Sequence, residues 1–403
     1  MEDQEKGGLS QLWTLFFKNT WLIWLGGILL AFLNILLFIV KSPWGGSGSY
    51  TNWGQNLYSA LHIINFPAVK GVFAHHYGLL GFVTILGAFC GALMSKEFAV
   101  RIPPVGEMGK GILGGILMGL GATLGIGCTI GGFLSGLSSL SGGSIILTIG
   151  LLLGTYLALK YLLWEMEALP NLSMGKSLTL LAAKGKKGIW QPILGVIIFI
   201  TCLVIFAVYY RDNNVFTMFA IIGLLMGLIL QRSRFCIVRA FREPFMTGES
   251  EAPVGVLLTV LITMIGFTVI KYMGVGTSTP GAARILAMTW VYPHFWVRAL
   301  IGGFIFGLGM TIAGGCAVGA MWRTGEGQVK LWFAVLGFML MAPISKKFIV
   351  PGFERILPEW AKQKIFLPDH FGYFGAVIII LVILLLWYLF VKWNEKTGKF
   401  SAV

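Results

Sequence analysis

Two cysteines sit inside near-copies of one glycine-rich apolar segment. The first copy reads GGILMGLGATLGIGCTIG, from Gly114 to Gly131; the second reads GGFIFGLGMTIAGGCAVG, from Gly302 to Gly319. At a constant offset of 188 residues, Gly114/Gly302, Gly115/Gly303, Gly119/Gly307, Gly121/Gly309, Thr123/Thr311, Gly127/Gly315, Cys128/Cys316 and Gly131/Gly319 coincide. A thiol is a weak hydrogen-bond donor or a latent nucleophile. Glycine lets the backbone leave helical geometry. At membrane depth, the N–H and C=O groups so freed are tolerated only where they line a cavity or pack on protein. Helix N-termini turn partial positive charge toward anions. A candidate path for a small anion is therefore Cys128 with Gly127, Thr129 and Gly131, and Cys316 with Gly315 and Gly319. The competing reading is that glycine simply packs membrane helices closely. Repetition of the pattern around a cysteine favours the path.

A third thiol lies in QRSRFCIVRAFREP, where an apolar run meets Arg232, Arg234, Arg239 and Arg242. Cys236 is there either a thiol at the mouth of a path, with cations that attract anions, or a buried residue beside a basic anchor. Composition alone favours the anchor. After the second copy, WRTGEGQVKLWF places Arg323 and Glu326 at a helix edge. They are expected either to pair across the turn or to be ordinary interfacial charges. Cys90 and Cys202 lie in apolar runs without glycine breaks and read as small hydrophobes. No CxxC, HExxH or other ligand spacing is present, so neither catalytic residues nor a metal or cofactor is expected.

The elements that must hold these residues are membrane helices. The chain is 57% hydrophobic and 11% charged, with apolar runs of about 20 residues recurring along it, each able to cross a bilayer core. The expected fold is all-α and polytopic, with about nine or ten spans, broken or re-entrant helices and a pseudo-inverted repeat. The whole of 1–403 is expected to be one integral membrane transport domain with repeat-like halves of about 20–188 and 189–391. The acidic N-terminus followed by a full-length apolar run argues against a cleaved signal peptide. The formal charge of +14 is scattered over loops, including Lys176, Lys184, Lys186 and Lys187, which suits an anionic lipid surface and not nucleic acid. The Lys/Arg bias places both termini inside. Five spans would then separate the two copies, an odd number, so the copies should run in opposite directions.

With the three cysteine segments in hand, the chain resembles the YeeE/YedE family of bacterial membrane proteins, and most of all its longer, selenium-metabolism branch. The glycine-rich motif at Cys128, QRSRFCIVRAFRE at Cys236 and AGGCAVGAMWRTGEGQ at Cys316 carry the resemblance. It implies an inner-membrane importer of a small sulfur or selenium species, a thiosulfate-like anion or a selenium compound, through a narrow path. Cys128, Cys236 and Cys316 would be its relay points, each thiol donating to the sulfur end of the anion, with Arg234, Arg323 and Glu326 as supporting charges. It further implies a TusA-like sulfur-carrier protein as partner on the cytoplasmic side. Weak S–H donors suit soft anions because a path must bind without trapping. The thiols are expected to be neutral, since a thiolate would repel the anion. The alternative is a membrane thiol sulfurtransferase or oxidoreductase that hands a persulfide or selenide to a carrier; it would need an activated thiol, for which no neighbouring motif speaks.

Overall fold

The computed structural model describes residues 13, 17, 19–168, 177–182, 190–273, 297–362 and 365–401. The loop lysines at 176, 184, 186 and 187 lie outside the described residues. Among these residues, ten segments are long and apolar enough to cross a membrane. The structure is helical apart from one short antiparallel ribbon, β1 (Val100–Ile102) with β2 (Leu178–Leu180), and an all-α polytopic membrane fold is the result.

The first seven helices are α1 (Ile23–Val40), α2 (Ser47–Ala60), α3 (His76–Met94), α4 (Val105–Leu124), α5 (129–138, a π-helical Thr129–Leu134 continued by Ser135–Ser138), α6 (Gly142–Ala168) and α7 (Trp190–Tyr209). Then follow α8 (Asn214–Ser233), α9 (Ile237–Met246), α10 (Glu251–Met273), α11 (Val297–Ala313), α12 (Ala317–Gly325), α13 (Val329–Ile344), α14 (Val350–Ile356) and α15 (Leu367–Thr397). The apolar runs read from the sequence appear within a few residues of these limits. α4 begins at Val105, before the apolar run that starts at Ile112, because Gly106, Glu107 and Gly109 continue the helix below it. Three short helices, α2, α9 and α14, lie outside the apolar runs and were not expected. α2 is polar, SGSYTNWGQNLYSA, yet buries Ser49, Tyr50, Asn52, Gly54 and Tyr58.

Glycine decides the centre of the bundle. A Cβ on Gly114 would lie 2.6 Å from the Gly309 carbonyl oxygen, and one on Gly121 would lie 2.7 Å from that of Gly302. Rising numbers in α4 meet falling numbers in α11, so the two helices are antiparallel. Gly302 and Gly309 are themselves the counterparts of Gly114 and Gly121, so the crossing is unchanged when the copies are exchanged. The neighbours follow the same exchange. Gly150 of α6 packs on the Leu300 carbonyl of α11, and Gly337 of α13 packs on the Ile112 carbonyl of α4. Lys110 of α4 pairs with Glu165 of α6, and Arg298 of α11 with Glu354 of α14. α1 lies along α10 as α8 lies along α3. The pseudo-inverted repeat expected from the sequence is thus a property of the packing. Between lipid tails there is no hydrophobic gain in pressing helices together, so close backbone approach supplies the contact.

Two faces result. One carries Arg232, Glu97 and Glu326; the other carries His75, Lys346 and the α4–α5 junction. The peripheral α7 is only 11% buried over its apolar stretch, whereas α3 and the α11–α12 segment each reach 72%.

Gly121→Leu and Gly309→Leu are each expected to destabilise the bundle by about 1–3 kcal/mol or more through overpacking. Gly109→Ala, at a position with nothing within 4 Å, should leave the melting temperature in detergent unchanged; equal melting of all three proteins would contradict this packing. At the start of α3, the Gly78 N–H donates to His75 Nδ1 at 3.1 Å. Burial, then Lys70, Lys41 and Lys346, hold the His75 imidazole below its usual range. Its contribution is therefore complete above about pH 6.5, the unfolded value, and is lost as pH falls from there through the lower folded value. His75→Asn, which caps without titrating, should remove this part of the acid sensitivity, worth about 1 kcal/mol; unchanged melting profiles below about pH 6.5 would refute the assignment.

Candidate functional site

Each of the three cysteines is the N-cap of a half-helix. Cys128 (φ −98, ψ −175) precedes α5, Cys236 (φ −150, ψ 116) precedes α9, and Cys316 (φ −75, ψ −177) precedes α12. Two residues before each cysteine the chain turns left-handed, at Ile126 (φ 54), Arg234 (φ 54) and Gly314 (φ 80). Each cysteine carbonyl then accepts the amide four residues on: Gly132 at 2.7 Å, Ala240 at 3.4 Å and Ala320 at 2.7 Å. The helices before the glycine-rich breaks close alike, with Gly127 N donating to Ala122 O and Gly315 N to Met310 O. The left-handed residue is glycine only at 314. Holding the β-branched Ile126 there costs about 1–3 kcal/mol, a strain that belongs at a working site.

The breaks meet in the core. Gly319 lies between two thiols: a Cβ there would be 3.4 Å from Cys316 Sγ and 3.7 Å from Cys236 Sγ. Gly319 N donates to Cys316 Sγ at 3.4 Å. The Thr129 hydroxyl is buried beside the Cys316 thiol. Cys128 lies against the Trp44–Gly46 loop and the first turn of α12: a Cβ on Gly46 would be 3.4 Å from its Sγ and 3.1 Å from Val318 Cγ2. A Cβ on Gly131 would lie 3.6 Å from Gly45 Cα. Gly315 packs on Leu331 and the Ala320 amide, and Gly127 is buried. The Tyr50 hydroxyl donates to the Ala317 carbonyl at 2.6 Å, and its ring stacks on Phe338. Tyr50 is a site-wall residue that sequence reading missed, because it sits on the polar helix that was not expected. Cys128, Cys236 and Cys316 are 0%, 2% and 2% exposed, so all three thiols are buried.

A cavity of about 350 Å³ leads toward the thiols from the Lys346 face. Ser47, Thr51, Gln55, His75 and Lys346 line it, with Ile126 beside them. On the opposite side, Arg323 donates to the Gly314 carbonyl at 2.6 Å and to Cys236 Sγ at 3.8 Å. Arg323 and Glu326, two residues whose pairing was open, do not pair. Glu326, fully buried, holds Arg234 at 2.8 Å and Gln231 at 3.2 Å. Glu97 holds Arg234 at 3.0 Å and Arg232 at 3.1 Å. The charge of Arg234 is thus balanced within a carboxylate cluster, while Arg323 faces the thiol. The Nε atoms of Arg242 and Arg323 are buried without partners. Cys90 and Cys202 stand apart from the three junctions: Cys90 is buried within α3, and Cys202 lies on α7 at the edge of the apolar cluster that contains Leu79, Val83 and Leu224. Among the described residues, no group of three or more His, Cys, Asp or Glu is arranged to hold a metal ion.

Comparison with known proteins agrees with this architecture. A protein-family profile described as sulphur transport matches residues 2–157 and 232–402. The "Probable transporter YedE" of Escherichia coli K12 is 24% identical over 96% of this chain and 97% of its own length. Two proteins named "Thiosulfate transporter TsuA" match shorter stretches. That of Escherichia coli K12 is 28% identical over 41% of this chain and 45% of its own length. That of Spirochaeta thermophila is 35% identical over 31% of this chain and 35% of its own length. With matched segments that include all three cysteine-capped junctions, the chain belongs to the sulphur-transport (YeeE/YedE) family.

Proposed function

We propose that this chain is not an enzyme but an importer, which carries a small sulfur- or selenium-containing anion, thiosulfate or a selenium analogue, through a path lined by Cys128, Cys236 and Cys316. One observation carries the reading: three thiols, each the N-cap of a half-helix, converge in the core of a ten-span bundle. Three helix N-termini contribute partial positive charge without a mobile cation. The Gly319 amide occupies a lone pair of Cys316 Sγ, which leaves the S–H to donate to the cargo. Neutral thiols and the Thr129 hydroxyl replace hydration weakly enough to release. Arg323 and Arg242 beyond Cys236 then draw the anion onward.

The Arg232 face, with Arg232, Arg234, Arg239, Arg242, Arg323 and Lys330, is assigned to the cytoplasm of a bacterial cell by the positive-inside rule. The same rule assigns both termini to the cytoplasm. Cargo enters from the Lys346 cavity and leaves past Arg323, where a TusA-like sulfur carrier takes delivery. The names of the relatives, all transporters, support the reading.

In proteoliposomes loaded with no carrier, Cys128→Ala, Cys236→Ala and Cys316→Ala are each expected to cut the initial uptake rate of labelled thiosulfate or selenosulfate at least tenfold, about 1.4 kcal/mol. Undiminished uptake by all three variants would sink the thiol path. A persulfide left on Cys236 after turnover would turn the assignment to a sulfurtransferase. Enclosing a TusA-like protein should raise sustained accumulation without changing the initial rate; no gain in accumulation would remove the carrier from the scheme.

A further inference from the structure

The fold has a fourth half-helix N-terminus at the site, and it carries no thiol. Exchange of the two repeats sends α1 onto α8, α2 onto α9 and α3 onto α10. The contacts obey it: α2 packs on α3, α4 and α13 as α9 packs on α10, α11 and α6. Gly46 is the N-cap of α2, as Cys236 is of α9. Gly46 faces Cys128 at its Cβ position, and Cys236 faces Cys316 across Gly319. Gly45 meets Gly131, the counterpart of Gly319. Gly46 therefore stands to Cys128 as Cys236 stands to Cys316.

The glycine is not there for its backbone. Gly46 has φ −86 and ψ −33, a conformation open to every residue. The position uses its missing side chain. A methyl group would sit 3.1 Å from Val318 Cγ2 and 3.4 Å from both Ala317 Cβ and Cys128 Sγ. Those contacts can be met by shifts of a few tenths of an ångström, so alanine fits, but it takes the space over the Cys128 thiol. The cavity on the Lys346 face ends at the same place: Ser47, Gly48 and Thr51 from the first turn of α2 and Ile126, two residues before Cys128, line it.

We infer that Gly46 is the bore-setting residue between this cavity and Cys128, and that its missing side chain sets the width of anion admitted to the first thiol. This rests on the proposed transport path, but the position can be tested without transport. Purified full-length protein is treated with methyl methanethiosulfonate, and modification of each cysteine is timed by peptide mass spectrometry. The cavity route predicts that Cys128 reacts in the unaltered protein and at least tenfold more slowly in Gly46→Ala, with Cys202 unchanged and the melting temperature retained. Gly71→Ala, at an open position, should match the unaltered protein. Equal Cys128 rates in Gly46→Ala and the unaltered protein would overturn the inference, as would a Cys128 that never reacts. In parallel, uptake by Gly46→Ala should fall more for thiosulfate than for the narrower hydrosulfide. A slowed Cys128 in a protein that moves neither anion supports the bore while the transport reading fails. An unslowed Cys128 with normal uptake removes the bore and leaves transport standing.

Discussion

The close antiparallel crossing of α4 and α11 is the contact on which the rest depends. Gly114 meets Gly309 and Gly121 meets Gly302 backbone to backbone. No side chain intervenes, so the two helices can end in the core within reach of each other's junctions. Lipid offers no hydrophobic reward for this approach, and packing at small residues must supply it. From that axis the remaining helices follow in exchange-related pairs: α6 on α11 and α13 on α4, then α8 on α3 and α1 on α10. Ion pairs tie the outer turns at opposite faces, Lys110–Glu165 on one and Arg298–Glu354 on the other.

Breaking three helices inside a membrane protein leaves backbone groups to satisfy. The structure meets this with one device used three times: a left-handed residue, one further residue, then a cysteine that caps the next half-helix. The same sulfur that caps is the group a soft anion would meet, so the structural demand and the proposed chemistry fall on one atom. Charge is kept in a second layer. Glu97 and Glu326 balance Arg232 and Arg234, which fixes the junction before Cys236, while Arg323 remains turned to the thiol. Dipoles and weak donors act at the narrow point, with full cations only beyond it.

Much of this was legible in the residues. Apolar run lengths give the spans to within a few positions, and the two glycine-rich copies give their opposite directions; that they cross backbone to backbone came from the structure. Cys236 was harder: composition favoured a buried residue beside a basic anchor, and nothing in it marked the half-helix that Cys236 caps. The left-handed position before it is Arg234 instead of glycine, so the usual marker of a break is missing; the shared signal is spacing, a left-handed residue two before each thiol. α2 escaped because a polar helix buried against protein has neither the apolar run of a span nor the apolar stripe of a surface helix. Tyr50 and Gly46 escaped with it. The partners of Arg323 and Glu326 could not be chosen from sequence, since Glu97 and Arg234 come from other helices.

The most direct measurement is the position of a selenium atom. Protein soaked with selenosulfate, with diffraction recorded at the selenium edge, should show one anomalous site in contact with the thiol of Cys128, Cys236 or Cys316, lost when that cysteine is replaced by alanine. A saturating soak with selenium bound away from all three thiols, or with none bound, would contradict a path built on thiol-capped half-helices.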